Sequence, residues 1–294
     1  VSSANQHPVN KTYPYYYYSH NYEMYRGRRL IERLESIDNV EINDIKKIQN
    51  DNFNYKAYEV LPLILDEIDT SKLTYEQKIY FKNLKNWDYF AEVSNENQVV
   101  FNEWWNNLYK NIWDEFDSLK YPYRKPNSFR TYKLIKEDKN SKFYDVISTS
   151  KNESLNDLIN KSFLEITVKL DTFKKRNSLK KIKWDHYKNT TINHLLRIKS
   201  FSYDSVSIGG YRNILNAASE RHGPSFRLIV KLKQNEKTKA WGVYPGGQSG
   251  NIGSQNYFGE VENWGKGVYN KLLFNSNYMD NRNHIIFEKK YNIK

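Results

Sequence analysis

The run VVFNEWWNNLYKNIWDEF (99–116) is the feature that most limits what this chain can become. Helical spacing sets Phe101, Trp105, Leu108 and Ile112 on one face, and such a face is stable only when covered by another layer. The rest of the chain points the same way. Hydrophobic residues make up 38% of the sequence, but aromatic residues alone make up 16%, so aliphatic side chains are scarce. Tyrosine, phenylalanine and tryptophan must therefore build the core. A chain with 25 Tyr, 14 Phe and 7 Trp is not a disordered one. Its 294 residues suffice for one or two sizeable cores.

The pattern runs from helices to strands. Residues 26–70 read as helical: Leu30, Ile31 and Leu34 recur at helical spacing, as do Ile42, Ile45 and Ile48, and Pro62 breaks or kinks the run near its end. Thr74 and Gln77 have the spacing of a capping box, and Ser154 is placed to cap a helix over 153–175. Between them KYPYRKPNSFRTYK (120–133), with two prolines, reads as an exposed connection. From about residue 200 the runs SVSIGGY, SFRLIVKL and KAWGVYPGGQSGN read as short strands with glycine turns. The fold class is α+β.

The formal charge of +12 would suit a polyanion, but the lysines are interleaved with acids and only FKKRNSLKKIKW (173–184) is dense. The skew toward Lys, Asn, Ile and Tyr with little Ala is what an AT-rich coding sequence gives, so the charge reads as a solvated basic face. There is no cysteine, hence no disulfide, thiolate metal site or cysteine nucleophile. No stretch is apolar for long enough to span a membrane. The six histidines (7, 20, 186, 194, 222, 284) are scattered and read as structural, and Asp114 and Asp117 of DEFD read as the solvated side of their helix. GGQSG (246–250) lacks the order of a nucleophile elbow and the Lys-Ser/Thr ending of a phosphate loop.

The opening stretch VSSANQHPVNKTYPYYYYSHNYEMYRGRRLIERL is the one that carries chemistry. It resembles the segment of the penicillin acylase (penicillin amidase) family that holds an oxyanion asparagine. DIKKIQNDNFNYKAYEVLPLIL, LKNWDYF, WDHYKNTTINHLL, GGYRNILNAAS with HGPSFRLIVKL, and VYPGGQSGNIGSQNYFGEVENWGKGVYNKL resemble later pieces of the same family, in family order. The succession covers residues 2 to about 273.

The resemblance implies an N-terminal-nucleophile hydrolase acting on linear amide C–N bonds. Residues 1–294 would be the C-terminal portion of its large chain, with an oxyanion-asparagine segment (1–30), a mainly helical part (31–200) and a strand and glycine-turn region (201–294). The implied fold is a four-layer αββα sandwich, incomplete in this fragment, which alone would be inactive. Asn5 would donate to the oxyanion, Arg26 would support it, and the tyrosines behind would pack as scaffold; Gln6, His7 and Tyr18 would be neighbours by proximity only. The alternatives read from residues alone are a turn-forming asparagine ahead of Pro8 for Asn5 and a first-turn surface arginine for Arg26. Val1 is expected to lie inside a longer gene product. The partners implied are the upstream remainder of the same precursor and a small-molecule acyl amide (a penicillin, an acyl-homoserine lactone or a related N-acyl compound). Neither nucleic acid nor a membrane span is expected. No cofactor is expected of this chain, since tyrosines (Tyr15 to Tyr18) stand where some family members carry an acidic calcium ligand in the Tyr-Pro segment; a structural calcium of the parent would be held by residues outside it. A periplasmic or extracellular location follows from the resemblance. Ser2 could become a nucleophile only by trimming of Val1, and the family places the nucleophile far upstream. The alternative is a non-catalytic module binding polysaccharide or nucleic acid through tyrosines and lysines.

Overall fold

The computed structural model describes residues 1–9, 12–16, 23–121 and 123–273. Among these residues the helices are α1 (Tyr25–Glu35), α2 (Ile42–Gln49), α3 (Tyr55–Leu65), α4 (Tyr75–Lys85), α5 (Glu96–Ile112), α6 (Ser128–Glu137), α7 (Leu155–Arg176), α8 (Trp184–Lys188) and α9 (Val261–Lys266). The strands are β1 (Thr190–Ile192), β2 (Tyr203–Val206), β3 (Arg227–Lys231), β4 (Lys239–Val243) and β5 (Asn270–Leu272). The chain is α+β. It divides into two compact units, one of residues 1–38 and 50–223, the other of residues 39–49 and 224–294.

The larger unit is helical and its core is aromatic. α5 starts where Asn95 accepts from Gln98 N–H, and it buries Phe101, Trp104, Trp105, Leu108 and Ile112. α7 lies against it, opened by Ser154 and Asp157 in a reciprocal capping box and closed by Lys174, Lys175 and Arg176 near its negative end. An indole inside a core needs an acceptor for its N–H. Trp104 donates to Ile159 O at 3.2 Å, Trp105 to Ser128 Oγ at 2.7 Å and Trp113 to Thr131 Oγ1 at 2.9 Å. Trp184 donates to Gly210 O at 2.9 Å. With those donors satisfied, bulky rings replace the missing aliphatics without a polar penalty.

Three sequence expectations change here. α6 lies across the end of the stretch read as a connection, because Asn127 caps it by accepting from Arg130 N–H. α3 runs through Pro62 to Leu65: proline gives up one N–H, but three residues from the helix end it costs only the last turn one bond. The strand expected over SVSIGGY stops at Val206. Gly210, at φ 72°, has the Asn216 carbonyl 2.0 Å from where a Cβ would stand, so this glycine serves a close backbone approach.

A polar hub ties this unit together. Asn54 caps α3 and donates to Gln98 Oε1 at 2.9 Å; Asn52 donates to Glu92 at 3.0 Å and accepts from Asn216 at 2.9 Å. Lys188 is buried, with its ammonium on the carbonyls of Ile208, Gly209, Gly210 and Ala218 at 2.9–3.2 Å.

The smaller unit holds an antiparallel sheet ordered β3-β4-β5, with Ile229 opposite Trp241 and Gly242 opposite Asn270. Arg227 and Ile229 are buried on one face, where Arg227 donates to Trp264 O of α9 at 2.6 Å. The opposite face carries Phe226, Leu228, Val230 and Leu232, all exposed. The glycine loop at 246–250 closes on its own chain, Ser249 N–H donating to Asn256 O at 3.2 Å.

Candidate functional site

The first turns of α1 carry arginines where a helix favours acids. Arg26, Arg28 and Arg29 stand near its positive end, with no acidic residue in the first turn and no side chain capping it. Cations there are destabilising unless each finds a partner, and each does. Arg28 pairs with Glu59 at 2.5 Å and reaches Tyr55 Oη at 3.2 Å. Arg29, buried, forks onto Asp51 at 2.8 and 3.1 Å and lies 4.3 Å from the Phe53 ring centre. Arg26 donates from Nη2 to Asn5 Oδ1 at 2.7 Å.

The third contact brings together the two residues singled out from the sequence. Asn5 sits at φ 63°, in the left-handed region that asparagine tolerates better than other side-chain-bearing residues. Its side chain is exposed. Arginine offers only donors, so the amide atom facing it must be the oxygen. That fixes the carboxamide's orientation and leaves its NH2 end for another acceptor. A charge-assisted bond to the oxygen also polarises the amide, which strengthens Nδ2 as a donor.

The segment is held by its own residues. Gln6 accepts from Ala4 N–H at 2.6 Å and donates to Ser2 O at 3.3 Å. It lies on Gly27, where an added Cβ would stand 3.0 Å from Gln6 Cβ and 3.1 Å from Oε1. Gln6 and Gly27 pack against each other, a contact that sequence proximity did not convey. Tyr13, Tyr15 and Tyr16 are exposed, with the Tyr13 and Tyr15 rings edge to face at 5.9 Å, and Tyr17, Tyr18, His20 and His284 lie outside the described residues.

Beneath the start of α1 is a set of shifted groups. Burial raises the Glu23 carboxyl, against the pull of Lys56 and of the Phe129 and Ser128 amides, and Asn213 donates to it. Burial lowers the Lys56 amine to about 8, with Glu23 pulling back; its Nζ lies 5.3 Å from the Trp105 ring centre. The Tyr25 hydroxyl, buried without a partner among the described residues, is pushed up by burial and by Glu23.

The other candidates have partners of their own. Asp114 accepts from Ile147 N–H at 3.1 Å, Asp117 pairs with Lys125 at 2.7 Å, and His194 Nδ1 accepts from Leu196 N–H in its own turn at 3.3 Å. Among the described residues no three His, Cys, Asp or Glu side chains come together to hold a metal ion. No helix of the described residues is long and apolar enough to cross a membrane.

The family model described as penicillin amidase matches residues 1–281. The chain belongs to the penicillin amidase family, a family of acyl-amide hydrolases. Among curated proteins, no relative matches it.

Proposed function

We propose that this chain is the C-terminal part of the large chain of an amidohydrolase, and that Asn5 Nδ2 is one of the donors for its tetrahedral intermediate. The nucleophile lies upstream: an N-terminal serine, threonine or cysteine freed by self-cleavage, whose own α-amino group takes its proton. It attacks the carbonyl carbon of an acyl amide, the C=O electrons move onto oxygen, and the intermediate collapses to the acyl-enzyme as the protonated α-amino group passes that proton to the leaving nitrogen, which departs as the amine. Water then frees the acid. Charge on that oxygen is greatest in the transition state, so a donor already aimed at it lowers the barrier rather than merely binding substrate. An amide is suited to this because it stays neutral and protonated at any working pH.

The single observation that carries this reading is the Arg26–Asn5 hydrogen bond, which holds the amide by its oxygen and leaves Nδ2 as the end that can donate. The apolar sheet face of Phe226, Leu228, Val230 and Leu232 supports the larger architecture, because a second sheet of an αββα sandwich would cover it. Acyl chains of penicillins, acyl-homoserine lactones and related N-acyl compounds are the substrate class, and a periplasmic or extracellular location goes with the family.

The test uses the full reading frame. Intact mass and N-terminal sequencing should show two chains, the larger starting at Ser, Thr or Cys well before Val1. Asn5→Ala in that enzyme should lower kcat by roughly 10²–10³, the usual worth of one oxyanion donor. Wild-type turnover in Asn5→Ala, or a single uncut chain, would overturn the proposal.

A further inference from the structure

We infer that Gln6 is a positioning residue for the Asn5 amide, acting by seating the segment 2–6 on the bare backbone of Gly27. This rests on the reading of Asn5 as the oxyanion donor.

Asn5 is exposed and lies in a short segment outside any helix or strand. Such a residue has no lattice of backbone bonds to hold it. The Arg26 contact settles which end of the amide can donate, but a single hydrogen bond leaves the segment that carries it free to swing. Gln6 supplies the missing constraints. Its Oε1 accepts from Ala4 N–H at 2.6 Å and its Nε2 donates to Ser2 O at 3.3 Å, so one side chain ties down the residues just before Asn5. Both ends of the amide are used, and a glutamine can satisfy both a donor and an acceptor in this way.

The third constraint is contact with α1. Gly27 is buried, and a Cβ there would press on Gln6 Cβ at 3.0 Å and on Oε1 at 3.1 Å. The glutamine thus lies flat against the helix at the one position that offers no side chain. Arg26 is the residue before Gly27. A helix that receives Gln6 at 27 delivers its arginine at 26 to the residue before Gln6, which is Asn5. Two adjacent pairs, 5 with 26 and 6 with 27, fix both position and orientation of the donor.

The experiment measures kcat and KM of the self-processed full-length enzyme on phenylacetyl- and octanoyl-p-nitroanilide. Gln6→Ala should lower kcat about 10- to 100-fold with KM little changed, as a displacement near 1 Å does at a reacting centre. Gln6→Glu keeps the acceptor for Ala4 N–H and loses the donor to Ser2 O, so it should fall between wild type and Gln6→Ala. Gly27→Ala should mimic Gln6→Ala from the opposite side of the contact. In an Asn5→Ala background, adding Gln6→Ala should cost nothing further, because a residue acting only through Asn5 has nothing left to position. A merely structural glutamine would give multiplicative losses there, and that result overturns the inference. So does wild-type kcat in Gln6→Ala when Asn5→Ala is crippled. Should Gln6→Ala not yield processed enzyme, Gln6→Glu and Gly27→Ala decide by the same two criteria. Wild-type turnover in Asn5→Ala would remove the functional reading itself and this inference with it.

Discussion

Arg26 holds Asn5 by the oxygen of its amide, Nη2 to Oδ1 at 2.7 Å, across 21 residues of sequence. The contact decides which end of the side chain is available. It also accounts for an arginine in the first turn of α1, a place where a cation has no local reason to stand.

Asn5→Asp separates donor from scaffold. Aspartate tolerates the left-handed φ of 63° and would keep, even strengthen, the Arg26 contact. It has no hydrogen to give an oxyanion and adds a negative charge beside one. The expected outcome in the full-length enzyme is a kcat loss of at least roughly 10²–10³ with the melting temperature unchanged. An Asn5→Asp enzyme as active as wild type would mean that Asn5 serves its turn alone.

Arg26→Met should release the amide while keeping helix and bulk. The expected loss is smaller than for Asn5, roughly tenfold in kcat, about what one charge-assisted hydrogen bond of ~1.5 kcal/mol is worth. Arg26→Lys keeps the charge without the planar fork and should restore only part of it. Steady-state kinetics of the two variants side by side measure this ordering.

Some of this was legible in the sequence, and what was legible was local. The capping box at Thr74–Gln77, the cap at Ser154 and the buried face of Phe101, Trp105, Leu108 and Ile112 depend on residues within a few positions of one another. Periodicity and cap chemistry encode such features directly. α6 was hidden because two prolines before it masked the cap at Asn127. Asn5 and Arg26 stood out through family resemblance, but their bond did not, since nothing in a sequence states a distance across 21 residues. Gln6 on Gly27, Arg29 on Asp51 and Lys188 on four carbonyls were equally silent for that reason. The visible hint was chemical: three arginines crowded into a helix start need three partners elsewhere.

The Arg29–Asp51 pair should be a large contributor to fold integrity, because both groups are buried and share a two-toothed contact. Removing Asp51 leaves buried Arg29 with only the more exposed Glu32, at 3.0 Å, so the loss should approach the ~3–5 kcal/mol of a broken buried pair. Asp51→Asn should lower the urea midpoint accordingly, and Arg29→Met combined with Asp51→Leu should recover much of the loss. Equal destabilisation by single and double variants would show that the pair is not the unit that matters.

Lys188 gives the chain a pH dependence whose sign can be worked out. Burial lowers its amine to about 7, while Glu220 and Asp185 pull the other way. In the unfolded chain the same amine keeps its ordinary value near ~10.4. Between those two values the unfolded chain binds a proton that the folded chain has released, so stability rises with pH across the window and this gain is lost as pH falls toward 7. The wild-type urea midpoint should therefore carry an upward contribution between about pH 7 and pH 9. Lys188→Met removes that slope. It also leaves the carbonyls of Ile208, Gly209, Gly210 and Ala218 without the donor they share, so the variant should be less stable at every pH. A Lys188→Met midpoint that climbs with pH as steeply as wild type would assign the slope to other groups.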